Sequence, residues 1–117
     1  MTAREAAPVR PFRRRPSEES VTAAVTAATG TAPGQVAYNH LQYSSGALSG
    51  TVDVADAREY AEVLRAAHAA LVDVLGGDAD RVVVYLTGRS PAGPVGPPDV
   101  GLPDRPTGRD LSRLSTP

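Results

Sequence analysis

The chain predicts a small two-layer α+β sandwich: a three-stranded sheet with two helices on one face, in the order helix, strand, strand, helix, strand. Two observations carry this. The stretch from Leu48 to Gly88, LSGTVDVADAREYAEVLRAAHAALVDVLGGDADRVVVYLTG, reads as strand, capped amphipathic helix, glycine stop and strand. Ten of the eleven prolines lie before Ser17 or after Gly88, so the packed unit is expected to span residues 17 to 88. Residues 1 to 16 then form a disordered basic arm and residues 89 to 117 a disordered Pro/Gly-rich tail.

The first helix begins where Ser17 follows Pro16, because serine caps free amides and Glu18 and Glu19 complement the positive end of the dipole. Val21, Ala24, Val25 and Ala28 make one narrow apolar stripe, and Gly30 stops it. With three threonines on its other side, this helix depends on packing. After the Pro33-Gly34 turn, Gln35 to Tyr43 alternates, and its tyrosines favour a strand. Ser44-Ser45-Gly46 signals a hairpin turn. Its partner, Leu48 to Val54, puts Leu48, Gly50, Val52 and Val54 on one face and Ser49, Thr51 and Asp53 on the other.

The second helix has Asp56 as N-cap with Glu59 three residues on, an acidic variant of the capping box. Tyr60, Leu64, Ala67, Leu71 and Leu75 recur at helical spacing, and Gly76-Gly77 ends the run. Arg81 to Thr87 is the third strand, apolar on both faces at its centre. A right-handed crossover from the second strand to the third lets the first strand lie between them, antiparallel to both. The helices then bury Val21, Val25, Tyr60, Leu64 and Leu71 against Leu48, Val52, Val54, Val82, Val84 and Leu86. Tyr43, Val83 and Tyr85 face outward and are the candidate self-association residues.

The net charge of −1 conceals a division. In residues 1 to 16 five arginines oppose Glu5, a net of +4; residues 17 to 88 hold nine acidic side chains against three arginines, a net of −6. A basic arm on an acidic body points to an anionic partner or to the arm folding back on its own domain. Arg10, Arg13, Arg14 and Arg15, with Phe12 among them, are the candidate residues for a nucleic acid or an anionic lipid surface, since guanidinium forks bind phosphate bidentately.

The helix, strand, strand, helix, strand order, with glycines in Ser45-Gly46-Ala47-Leu48-Ser49-Gly50-Thr51-Val52, resembles the BON domain, a bacterial module linked to phospholipid and envelope association. The longer second helix, Gly76-Gly77 and the strand Arg81-Val82-Val83-Val84-Tyr85-Leu86 are similar to the alkaline-shock protein family. Either resemblance spans residues 17 to 88. It implies an envelope-stress setting and supplies no catalytic residue.

No chemical motif is complete. His40 and His68 lack neighbours at ligand spacing. Ser44, Ser45 and Ser49 do not form a nucleophile elbow. Gly76-Gly77 lacks the lysine of a phosphate loop, and Asp78 with Asp80 reads as a solvated turn. Without cysteine there is no disulfide framework or thiolate metal site, and no apolar run approaches the roughly 20 residues that span a bilayer. Twelve arginines without a lysine point to a GC-rich bacterial genome. The expectation is therefore a cytoplasmic, non-enzymatic interaction or scaffold protein, without cofactor or metal. It associates with itself as a homodimer or docks another protein through its sheet face. The alternative is a nucleic-acid or anionic-membrane-surface binder that uses the arginine arm.

Overall fold

The computed structural model describes residues 16–40 and 46–115. Within them the chain forms α1 (Glu18–Thr29), β1 (Val36–Asn39), β2 (Ala47–Asp53), α2 (Ala57–Leu75), β3 (Val83–Ser90), β4 (Gly93–Val95) and α3 (Gly108–Leu111), with 3-10 turns at Gly76–Arg81, Pro97–Val100 and Ser112–Ser115. The class is α+β, as expected, but the sheet has four strands and the described residues contain a third α-helix. No helix among the described residues is long and apolar enough to cross a membrane.

Local signals place both long helices. The Ser17 hydroxyl accepts the Ser20 amide at 3.0 Å, and Gly30 closes α1 in the left-handed region at φ 71°. In α2 the Asp56 carboxylate accepts the Glu59 amide at 2.9 Å, while the Glu59 carboxylate accepts the Ala55 amide at 2.6 Å. Two orphan donors are thus satisfied reciprocally. After Gly76 the chain winds through the 3-10 turn to Arg81, so the third strand starts at Val83 rather than at Arg81.

The strand order β1-β2-β3-β4 corrects the expected topology. β1 lies at an edge, antiparallel to β2, and β2 pairs in parallel with β3 from Ala47↔Val83 to Asp53↔Arg89. Length and apolarity decide this. β2 and β3 have seven and eight residues and bury each other along their full overlap, whereas β1 has four and could shield only half of either. Val36, Tyr38, Leu48, Val52, Val84 and Leu86 alternate onto one buried face, where Val21, Val25, Tyr60, Leu64 and Leu71 of α1 and α2 are also fully buried.

The boundary at Gly88 is also corrected. β3 continues to Ser90 and turns into β4, and beyond it Val95, Leu102 and Leu111 are buried in the same core. Residues 106 to 108 then strap the outer side of β3: the Pro106 carbonyl accepts the Val84 amide at 2.8 Å and the Val82 carbonyl accepts the Gly108 amide at 2.9 Å. Gly108 lies so close to the Ala79 carbonyl that no Cβ fits between them. Proline density suggested coil, yet these prolines occupy places where an amide is not needed. Pro94 faces Arg89 at a non-hydrogen-bonded position of the edge strand, Pro97 and Pro98 open a 3-10 turn, and Pro106 supplies only its carbonyl.

Candidate functional site

The register assembles the face of the sheet opposite the helices from short cross-strand rows. Ala37, Ser49 and Tyr85 form one, Asn39, Ala47 and Val83 a second, and Thr51 with Thr87 a third. Tyr85 is 39% exposed and Val83 half-buried. Both stand on the face opposite the helices, where alternation put them. Tyr43 and the four arginines Arg10, Arg13, Arg14 and Arg15 lie outside the described residues. At one corner the Arg89 guanidinium meets Asp53 at 2.8 Å and holds its carboxyl below the usual carboxylate value. The Gln35 amide donates to the other oxygen of Asp53 at 3.5 Å. The pair is exposed, so water screens it and it orients more than it stabilises.

At the β1 edge of the sheet two outward amides are taken by side chains of α1. Antiparallel pairing turns the Ala37 and Asn39 amides towards β2, which leaves those of Tyr38 and His40 pointing away. The Thr22 hydroxyl accepts the Tyr38 amide at 3.0 Å, and the Glu18 carboxylate accepts the His40 amide at 2.6 Å. α1 therefore occupies two of the donors that another strand would use. At the far edge β4 is three residues long with Pro94 at its centre. Short, proline-bearing or capped edges are how sheets resist strand addition. Between the strap and β4, the outer side of β3 is completed by the Tyr60 hydroxyl, which donates to the Leu86 carbonyl at 2.6 Å. Burial, with the charge of Asp99 adding to it, pushes the Tyr60 phenol up to about 12.

Removing the Thr22 hydroxyl tests the edge cap. Thr22→Val should cost about 1 to 3 kcal/mol, the penalty for stranding an amide at a buried edge, in urea unfolding. Unchanged stability would show that water replaces the hydroxyl.

His40 bridges two elements through its ring. The Pro16 carbonyl can only accept, so His40 Nε2 carries the hydrogen shared with it at 3.3 Å, and Nδ1 faces the Tyr38 hydroxyl at 3.1 Å. The two rings meet edge to face at 4.9 Å, tying the start of α1 to the end of β1. His68 is half-buried on α2, and its Nε2 has no hydrogen-bond partner among the described residues.

Among the described residues, concavities flank the sheet on two sides. One, of about 580 Å³, runs beside α1 and reaches Pro33, Gly34 and Tyr38; the other, of about 290 Å³, lies between the start of α2 and the β3–β4 hairpin. Alternation located Val83 and Tyr85, but sequence reasoning missed Thr22, Glu18 and Tyr60 as edge-completing residues. The only available signal was their polarity on helix faces otherwise devoted to packing. No family model, curated protein or solved structure matches the chain.

Proposed function

We propose that the protein is a non-enzymatic interaction module that docks a protein partner, in the simplest case a second copy of itself, through the face of its sheet opposite the helices. One observation carries this reading: α1 takes the outward Tyr38 and His40 amides of β1 and β4 is short with Pro94 at its centre, while on the face opposite the helices Tyr85 is 39% exposed. Strand addition is thereby disfavoured and contact face to face is favoured. The resemblance to the alkaline-shock and BON families adds an envelope-stress setting to this reading.

The size of the face sets the strength. Strands of seven residues at about 3.3 Å each, across three spacings of about 4.8 Å, give a footprint of roughly 330 Å² per copy. Two such faces fall below the roughly 1,200 Å² that marks the lower bound for stable interfaces, so the dimer should be weak and exchange rapidly. A twofold arrangement brings the same face together from both copies, so Val83→Glu would bury like charges within the contact. In sedimentation equilibrium the wild type should shift from monomer towards dimer at tens to hundreds of micromolar, on the order expected for a weak contact. Val83→Glu should remain monomeric with an unchanged circular dichroism spectrum. A wild type that stays monomeric throughout would refute self-association and leave a different protein as the occupant of the face.

A further inference from the structure

The groove of about 580 Å³ beside α1 has an apolar floor, with Ala23, Ala27, Pro33 and Tyr38 among its lining, and carboxylates of Glu18 and Glu19 at one end. Glu19 is exposed and Glu18 is engaged with the His40 amide. The chain enters the described structure at that same end, where the Pro16 carbonyl meets His40. Immediately before it stands Arg10-Pro11-Phe12-Arg13-Arg14-Arg15, which holds four arginines and the chain's single phenylalanine.

We propose that this groove is the docking site for residues 10 to 15 of the same chain, with Phe12 over the alanine floor and Arg13, Arg14 and Arg15 against Glu18 and Glu19. Three observations select this occupant. The first is charge: residues 1 to 15 carry +4, while residues 16 to 115, with twelve acidic side chains and seven arginines, carry −5. The second is reach. Five extended residues cover about 17 Å, and the helix from Glu18 to Ala27 rises about 13 Å, so the segment can turn back at Pro16 and run the length of the groove. The third is conformation. A residue before proline disfavours helical backbone, and Arg10 and Arg15 both precede one, which lowers the freedom such a segment loses on docking.

Because the Tyr38 and His40 amides are already taken, the segment docks by side-chain packing and charge rather than as a fifth strand. Tethering at Pro16 holds it at an effective concentration of order millimolar, so a weak contact is enough. Docked in this way, the arginines are occupied by their own domain, and a phosphate-bearing surface has to displace them.

The chain has no cysteine, so a full-length Val9→Cys variant accepts a single nitroxide label. If the segment runs along the groove, position 9 lies near the far end of α1. The amide signals of Ala27 and Gly34 should then be lost most strongly, and those of Ser17 and His40 less. Phe12→Ala in the labelled chain should restore Ala27 and Gly34, as should high salt. A loss that is greatest at Ser17 and His40 and decays along α1 would overturn the proposal. So would the Ala27 and Gly34 pattern appearing when labelled chains are mixed with unlabelled, isotopically enriched ones at low concentration, because the groove would then hold the segment of a second copy.

Discussion

Leu111→Ala should destabilise the entire domain by about 2 to 5 kcal/mol, the range for removing a buried leucine and leaving a cavity. Leu111 is fully buried in the core shared by the sheet and α2. It is held there by α3, in which the Thr107 hydroxyl accepts the Asp110 amide at 3.4 Å and the Asp110 carboxylate accepts the Thr107 amide at 3.0 Å. The backbone on either side of Thr107 is bonded to Val82 and Val84, so the side chain cannot move to fill the gap. Against a total stability of about 5 to 15 kcal/mol, this loss is a substantial share. Urea unfolding should show a lower midpoint with an unchanged slope. A change within about 0.5 kcal/mol, the usual result at a surface site, would mean that the residues after Gly88 do not belong to the cooperative unit.

Tyr60→Phe should cost about 1 to 3 kcal/mol at neutral pH, because the buried Leu86 carbonyl loses its donor while the aromatic volume remains. The same hydroxyl predicts an alkaline limit. Its value is raised from 10.0 to about 12, so the folded state holds this proton when the unfolded chain has released it. The stability linked to Tyr60 is therefore fully present below pH 10 and is lost as pH rises towards about 12. The loss amounts to something on the order of 2 kcal/mol across that window. Thermal unfolding measured from pH 9 to pH 12 should show this decline in the wild type and a shallower one in Tyr60→Phe. Parallel curves would mean that the phenol is not confined as its burial requires.

What the sequence disclosed divides by distance along the chain. Ser17, Gly30, Asp56 and Glu59 act within one turn of themselves, and each behaves as its neighbours require. Alternation in Val82 to Leu86 likewise separates the helix-facing from the open face without knowledge of any partner strand. Strand order was not legible, because it depends on β2 meeting β3 across the whole of α2. The threonines of α1 looked only like weak helix formers, whereas Thr22 serves an amide sixteen residues away and Thr29 donates to its own helix at the Val25 carbonyl at 2.7 Å. Prolines after Gly88 misled for a related reason: a proline that breaks a ladder and one that ends an edge have the same local sequence. Of the candidate surface, the positions of Val83 and Tyr85 were readable. The capping of the β1 amides by α1 was not.

The strap across β3 has a consequence for how the protein is made. β2 and β3 can meet as soon as β3 has been synthesised, but on the outer side of β3 the Val84 amide and the Val82 carbonyl bond to Pro106 and Gly108, which are made later. Until those residues leave the ribosome, a nascent chain carrying everything through Ser90 exposes a long apolar strand with free amides, the kind of edge that recruits other chains. Maturation is therefore an all-or-nothing event timed by the last-made part of the domain, and chains interrupted between Ser90 and Pro106 should be cleared or should aggregate rather than persist as a smaller folded product.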